Sequence, residues 1–157
     1  RDLHLSLRRQ RQMCIRDRIF SVGYEDKSID DFLNVLRKYC IDVVVDVREL
    51  PLSRKAGFSK SQLQKLLKEA GIEYASERRL GNPYRKMLRT RELSWDGFRI
   101  LFENYLRNNI DVVKEIAELS HSKNVCLLCY EKDHKICHRS VIADIIEKDF
   151  GIHAIHL

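Results

Sequence analysis

The stretch that decides the fold is Asn124-Val125-Cys126-Leu127-Leu128-Cys129, followed by the polar segment Tyr130 to Cys137, the run His138 to Phe150, Gly151, and His153-Ala154-Ile155-His156. The first run is apolar at successive positions, which suits a strand covered on both faces. From His138 to Phe150 the apolar residues fall at helical spacing, and Gly151 supplies a left-handed stop. Strand, helix and strand in this order form one crossover unit of a parallel sheet, because parallel neighbours need a long connection and that connection is nearly always right-handed.

Upstream the alternation repeats. Ile19 to Gly23, Asp42 to Val47 and Ile72 to Ala75 read as further strands. Ser28 to Cys40 reads as a helix, with Ser28 and Asp31 at capping-box spacing and Ile29, Phe32, Leu33, Leu36 and Tyr39 on one face. Ser59 to Ala70 repeats the device, with Ser59 and Gln62 as the box, Leu63, Leu66, Leu67 and Ala70 as the stripe, and Gly71 as the stop. Ser94 to Arg107, whose Trp95, Phe98, Leu101, Phe102 and Tyr105 form a packing stripe, and Asp111 to Leu119 complete the helices. The expected fold is α/β: a three-layer, Rossmann-like, five-stranded, mostly parallel sheet with helices on both faces and strand order 3-2-1-4-5. In such folds ligands bind outside the carboxyl ends of the strands. Neither a Walker A loop nor a G-x-G-x-x-G fingerprint occurs. Ser76 to Leu93 is the longest irregular stretch, and its length suits a lid over that crevice.

Composition bounds the rest. With 157 residues, 44% of them hydrophobic and 33% charged, the chain suits one globular domain, here residues 19–157. No apolar run reaches the roughly 18 residues that cross a bilayer, so no membrane partner is expected and a cytoplasmic location is. Five cysteines without an export signal point to free thiols. Cys40 and Cys126 fall on apolar positions and read as core. The net charge of +6 is concentrated in residues 1–18, which hold six Arg against two Asp. This segment lacks a clean period and resembles a translated sequencing adapter. It is expected to be a non-native or disordered basic tail, so global basicity says little about the folded body. A local cluster does: Arg78, Arg79, Arg85, Lys86, Arg89 and Arg91 fall together with no acid among them.

Two constellations carry chemistry. Cys129 to Ser140 runs from the end of the fourth strand into the last helix. Cys137 at that helix's N-terminus is expected to have a lowered pKa and to act as nucleophile or redox thiol, with His138 as proton carrier, Arg139 as anion clamp, and Cys129 and Glu131 nearby. The alternatives are buried fillers or a metal site of Cys129, His134, Cys137 and His138. The missing knuckle spacing and the differing directions of Cys137 and His138 argue against zinc, so no cofactor is expected and zinc remains an alternative. The second constellation is Asp46-Val47-Arg48 with Ser53 and Arg54, where Asp46 orients Arg48 or acts as a base and the arginines grip an anion. Tyr24 and Glu25 after the first strand add an aromatic wall and a carboxylate.

Taken together, Ser21 to Glu25, Asp46-Val47-Arg48 with Pro51 and Ser53, Lys55-Ala56-Gly57-Phe58, Leu80-Gly81-Asn82-Pro83, Leu127 to Glu131 and Cys137-His138-Arg139-Ser140 resemble the domain of unknown function 488 family over residues 19–157. The resemblance implies a compact α/β domain and marks Asp46, Arg48, Cys129, Glu131, Cys137, His138 and Arg139 as site positions. It brings no established reaction. The leading expectation is an enzyme acting on an anionic, nucleotide or nucleic-acid-derived substrate. A non-catalytic nucleic-acid or nucleotide-binding module and a zinc-stabilised interaction domain are the alternatives.

Overall fold

A computed structural model describes residues 18–157. The expected basic tail therefore lies outside the described residues, except that Arg18 is already the first residue of a strand. Five strands, β1 (Arg18–Gly23), β2 (Val43–Asp46), β3 (Glu73–Ser76), β4 (Val125–Cys129) and β5 (His153–His156), form one sheet in the order β3-β2-β4-β1-β5. Every pairing is parallel. Six helices alternate with them: α1 (Ile29–Lys38), α2 (Lys60–Glu69), α3 (Arg85–Arg89), α4 (Trp95–Arg107), α5 (Ile110–Leu119) and α6 (His138–Phe150). Among the described residues no helix is long and apolar enough to cross a membrane.

The strand order corrects the expected 3-2-1-4-5. All five residues of β4 are buried, so the most apolar strand takes the centre, between β2 and β1. In β5 every residue keeps some exposure, and it closes the far edge beyond β1. Local periodicity predicts each strand but is blind to a crossover that passes over a neighbour, as α6 does between β4 and β5.

Alternate strand residues feed two cores. Phe20, Val22, Val44, Cys126 and Leu128 pack with Phe32, Leu33 and Leu36 of α1 and Leu63 and Leu67 of α2. Ile19, Val43, Val45, Val125 and Leu127 pack on the other face with α4, α5 and α6. Connections from β1 to β3 thus cover one face and later connections the other, which opens a crevice at the carboxyl rim where they diverge. Register makes that rim flush, since Gly23 pairs with Cys129 and Asp46 with Leu128.

Local signals fare unevenly. Ser28 accepts the Asp31 amide at 3.1 Å, as capping requires, and Gly71 and Gly151 take positive φ. Ser59 makes no side-chain cap; Gln62 instead accepts the Gly57 amide at 3.0 Å. Cys40 is exposed rather than core, because it follows the end of α1 with φ 54° instead of continuing the helical face. Cys126 is buried as expected. The 76–93 stretch is not structureless: Leu80 is fully buried, Arg79 pairs with Asp111 at 2.9 Å, and α3 lies within it.

Gly23 is required by close approach, since a Cβ there would sit 1.7 Å from the Glu131 carbonyl oxygen. Gly23→Ala should cost about 1–3 kcal/mol or more in urea unfolding, because one backbone must move. A second prediction concerns the β5 edge. His156 hydrogen-bonds Ser21 and stacks on His134 at 3.8 Å. Burial, with His134 and Arg139 adding repulsion, lowers its pKa to about 4. The folded state therefore resists a proton that the unfolded chain accepts near 6.5, so stability should fall as pH drops from about 6.5 towards 4. His156→Gln should flatten that part of a stability-versus-pH curve.

Candidate functional site

Asp46 ends β2 with its side chain fully buried. A carboxylate there must find donors. It has four: the Arg48 amide at 3.1 Å, Arg48 Nε at 2.9 Å, Arg48 Nη2 at 2.6 Å and the Tyr74 hydroxyl at 2.6 Å. Arg48 also donates through Nη1 to the Phe58 carbonyl at 2.7 Å and the Tyr24 hydroxyl at 3.2 Å. Burial alone lowers the Arg48 pKa, but Asp46 and Tyr24 outweigh it and hold the guanidinium charged. Burial and the bond to Asp46 raise the Tyr74 phenol. Of the two roles open to Asp46, this geometry favours orienting Arg48 over proton exchange.

Tyr24, beyond β1, is sandwiched into the same assembly. Its ring stacks on Phe58 at 4.4 Å and 9°, and it meets Tyr130 edge-on at 5.4 Å. Tyr130 is 45% exposed and so presents aromatic surface to solvent.

The second group forms where β4 ends and α6 begins. His138 Nε2 lies 2.8 Å from the Val47 carbonyl oxygen. A carbonyl only accepts, so this nitrogen carries hydrogen and Nδ1 is the bare nitrogen of the neutral ring. Nδ1 faces two sulfurs, Cys129 Sγ at 3.6 Å and Cys137 Sγ at 3.8 Å. The Cys129 thiol also donates to Glu131 Oε2 at 3.0 Å. Burial opposes charge on His138, yet Cys137, the Val47 carbonyl and Glu131 together raise its pKa above the ordinary value. For Glu131 burial again opposes charge, but hydrogen bonds from Cys129, its own backbone and Cys137 hold the carboxyl below its usual range.

The expected depression of Cys137 is overturned. Burial pushes its thiol well up, and Cys129 adds to the rise. As the N-cap of α6 its side chain makes no bond to the helix amides but turns into the core. The expected divergence of Cys137 and His138 fails for the same reason: Cys137 is extended, with φ −115° and ψ 141°, so the two side chains converge. His134 leaves the group by stacking on His156.

These elements wall a pocket of about 240 Å³ at the carboxyl rim. Of the expected site residues, Tyr24, Arg48, Ser53, Cys129, Glu131 and His138 line it. Four expected site residues do not line it. Asp46 supports Arg48 from beneath, Cys137 lies behind His138, and Arg54 is exposed outside. Arg139 is fully buried and donates to Ser21 Oγ at 3.2 Å and to the carbonyls of Glu131 at 2.5 Å and Lys132 at 3.3 Å. It thus clamps the loop that carries Glu131. Glu49, Leu50, Leu52, Asn82, Arg85 and Tyr130 also line the pocket. The usable signals for these were the apolar pair flanking Pro51 and the Leu80-Gly81-Asn82-Pro83 turn, where Asn82 accepts the Tyr84 amide at 2.8 Å.

Residues 28–146 match the family model described as domain of unknown function DUF488. The chain belongs to the DUF488 family. Every expected site residue except Tyr24 lies within the matched span, while β1 and β5, outside it, complete the sheet. Neither the curated proteins nor the solved structures contain a match to the chain.

Asp46→Ala should destabilise the fold by about 3–5 kcal/mol, because the Arg48 charge would stay buried without its partner. Chemical denaturation of the variant against the parent checks this.

Proposed function

We propose that this DUF488 protein is an enzyme acting on an anionic, nucleotide or nucleic-acid-derived substrate held in the rim pocket. The observation that carries the reading is the presence of a thiol, an imidazole and a carboxylate on the wall of a pocket that also holds two arginines and an aromatic surface. Tyr130 offers its ring to a base, and Asn82 and Glu49 offer polar groups to its edge. Arg48 is committed to its internal partners, so Arg85 at the pocket edge is the guanidinium free to meet a phosphate. At the inner end Cys129, His138 and Glu131 present a thiol, an imidazole and a carboxylate to the substrate, with Cys129 Sγ 3.0 Å from Glu131 Oε2 and 3.6 Å from His138 Nδ1. Cys129 rather than Cys137 is the thiol in contact with the pocket.

A non-catalytic nucleic-acid module is the second reading, favoured by the exposed basic residues Lys86, Arg89 and Arg91, which continue from Arg85. Cys40, Cys126, Cys129 and Cys137 are all free thiols, which suits a reducing, cytoplasmic compartment.

The test uses nucleoside 5′-monophosphates as probes in calorimetric titrations. Tyr130→Ala should weaken binding by roughly 5- to 150-fold, the equivalent of about 1–3 kcal/mol of base stacking. Arg85→Glu should also weaken it and flatten the salt dependence. Cys129→Ala should retain binding but lose turnover across a panel of nucleotide substrates. Unchanged affinity in both surface variants would overturn the pocket assignment, and binding without turnover by the parent would favour the module.

A further inference from the structure

We infer that Cys129, Cys137 and His138 form a zinc site whose open coordination position faces the rim pocket. The inference rests on the reading of this cluster as the reactive end of that pocket, and it names what the cluster holds. The three donor atoms lie within 4.8 Å of one another, and all three residues are buried. Zinc binds thiolate at about 2.3 Å and imidazole at about 2.0–2.1 Å, so tetrahedral angles place sulfur and nitrogen about 3.6 Å apart. The two sulfur-to-Nδ1 separations, 3.6 and 3.8 Å, already have that span.

Ring chemistry agrees. The hydrogen on Nε2 points at the Val47 carbonyl, which leaves Nδ1 as the lone-pair nitrogen directed at the sulfurs. A ligating histidine commonly has its second nitrogen fixed in this way by a carbonyl. Chain geometry agrees as well. The extended backbone at Cys137 and the helical start at His138 let adjacent residues supply two donors to one point. With Cys129 contributed from the end of β4, the ion would join the two ends of the connecting loop.

Two sulfurs and one imidazole suit zinc better than calcium or magnesium, which prefer all-oxygen surroundings. Glu131, 3.0 Å from Cys129 Sγ, lies on the pocket wall beside the cluster. Three protein ligands with an accessible fourth position is the arrangement of catalytic rather than structural zinc. There the ion would polarise a substrate oxygen or lower the pKa of a bound water. Arg139 serves the site by pinning the Glu131 carbonyl from below.

The experiment uses the purified full chain, stripped of metal and reduced, with zinc and then cobalt as the probes. Zinc should bind at one equivalent per chain. Cobalt should give thiolate charge-transfer absorption together with tetrahedral visible bands. The cobalt spectrum reports thiolate ligation directly and needs no variant. Cys137→Ser and His138→Gln should each weaken zinc binding by more than the roughly 10- to 100-fold that follows loss of a mere supporting group. Absence of stoichiometric zinc, absence of thiolate charge-transfer bands in the cobalt-loaded chain, or unchanged affinity in both variants would overturn the site. These readouts involve no nucleotide, so a failed zinc site with intact Tyr130- and Arg85-dependent binding would leave the pocket reading standing.

Discussion

A carboxylate placed at the end of a central strand with no access to water has to be neutralised, and the ion pair between Asp46 and Arg48 is where this molecule does so. Both charges are buried, which is tolerable only because nearly every hydrogen-bonding position around them is filled. The consequence reaches past the pair. Arg48 ties the Phe58 carbonyl and the Tyr24 hydroxyl to β2, and Asp46 ties in Tyr74 from β3. One charged pair thereby holds the connections after β1 and β2, together with strand β3, in a single arrangement, and the pocket wall is what that arrangement presents outward.

The other half of the rim is held by a second buried guanidinium, Arg139, which meets carbonyl oxygens and a hydroxyl instead of a carboxylate. Its work is to fix the loop between β4 and α6 against β1. The bond from His138 to the Val47 carbonyl then links this half to the first, one residue beyond Asp46 and one before Arg48. Cys129 and His138, at the two ends of the loop that Arg139 clamps, are thereby held at a fixed separation, sulfur to Nδ1 3.6 Å. Fixed separation is what either proton transfer or metal ligation requires.

Much of this was legible in the chain and some was not, for physical reasons. Successive apolar residues in β4 and the capping pattern at Ser28 are local signals, and they place those elements within a residue or two. The D-V-R run is likewise legible as polar residues at a strand end, and the structure divides it: Arg48 reaches the pocket wall while fully buried Asp46 supports it from beneath. Strand order is not local, so the central position of β4 had no signature in any one segment. Cys137 misled because a helix N-terminus was read for its dipole, whereas the N-cap's extended backbone sends the side chain inward, where desolvation wins. Arg139 misled because an arginine in a motif reads as a ligand clamp, while full burial turns it into a clamp on the loop.

The central claim is that the thiol-imidazole cluster and the aromatic, arginine-bearing cleft are one site. Amide chemical-shift mapping during titration with a nucleoside 5′-monophosphate tests it most directly. The account predicts that the resonances of Cys129, Tyr130 and Glu131 move together with those of Asn82 and Arg85, along a single binding curve. Shifts confined to the basic residues from 85 to 91, with Cys129 to Glu131 unmoved, would contradict it.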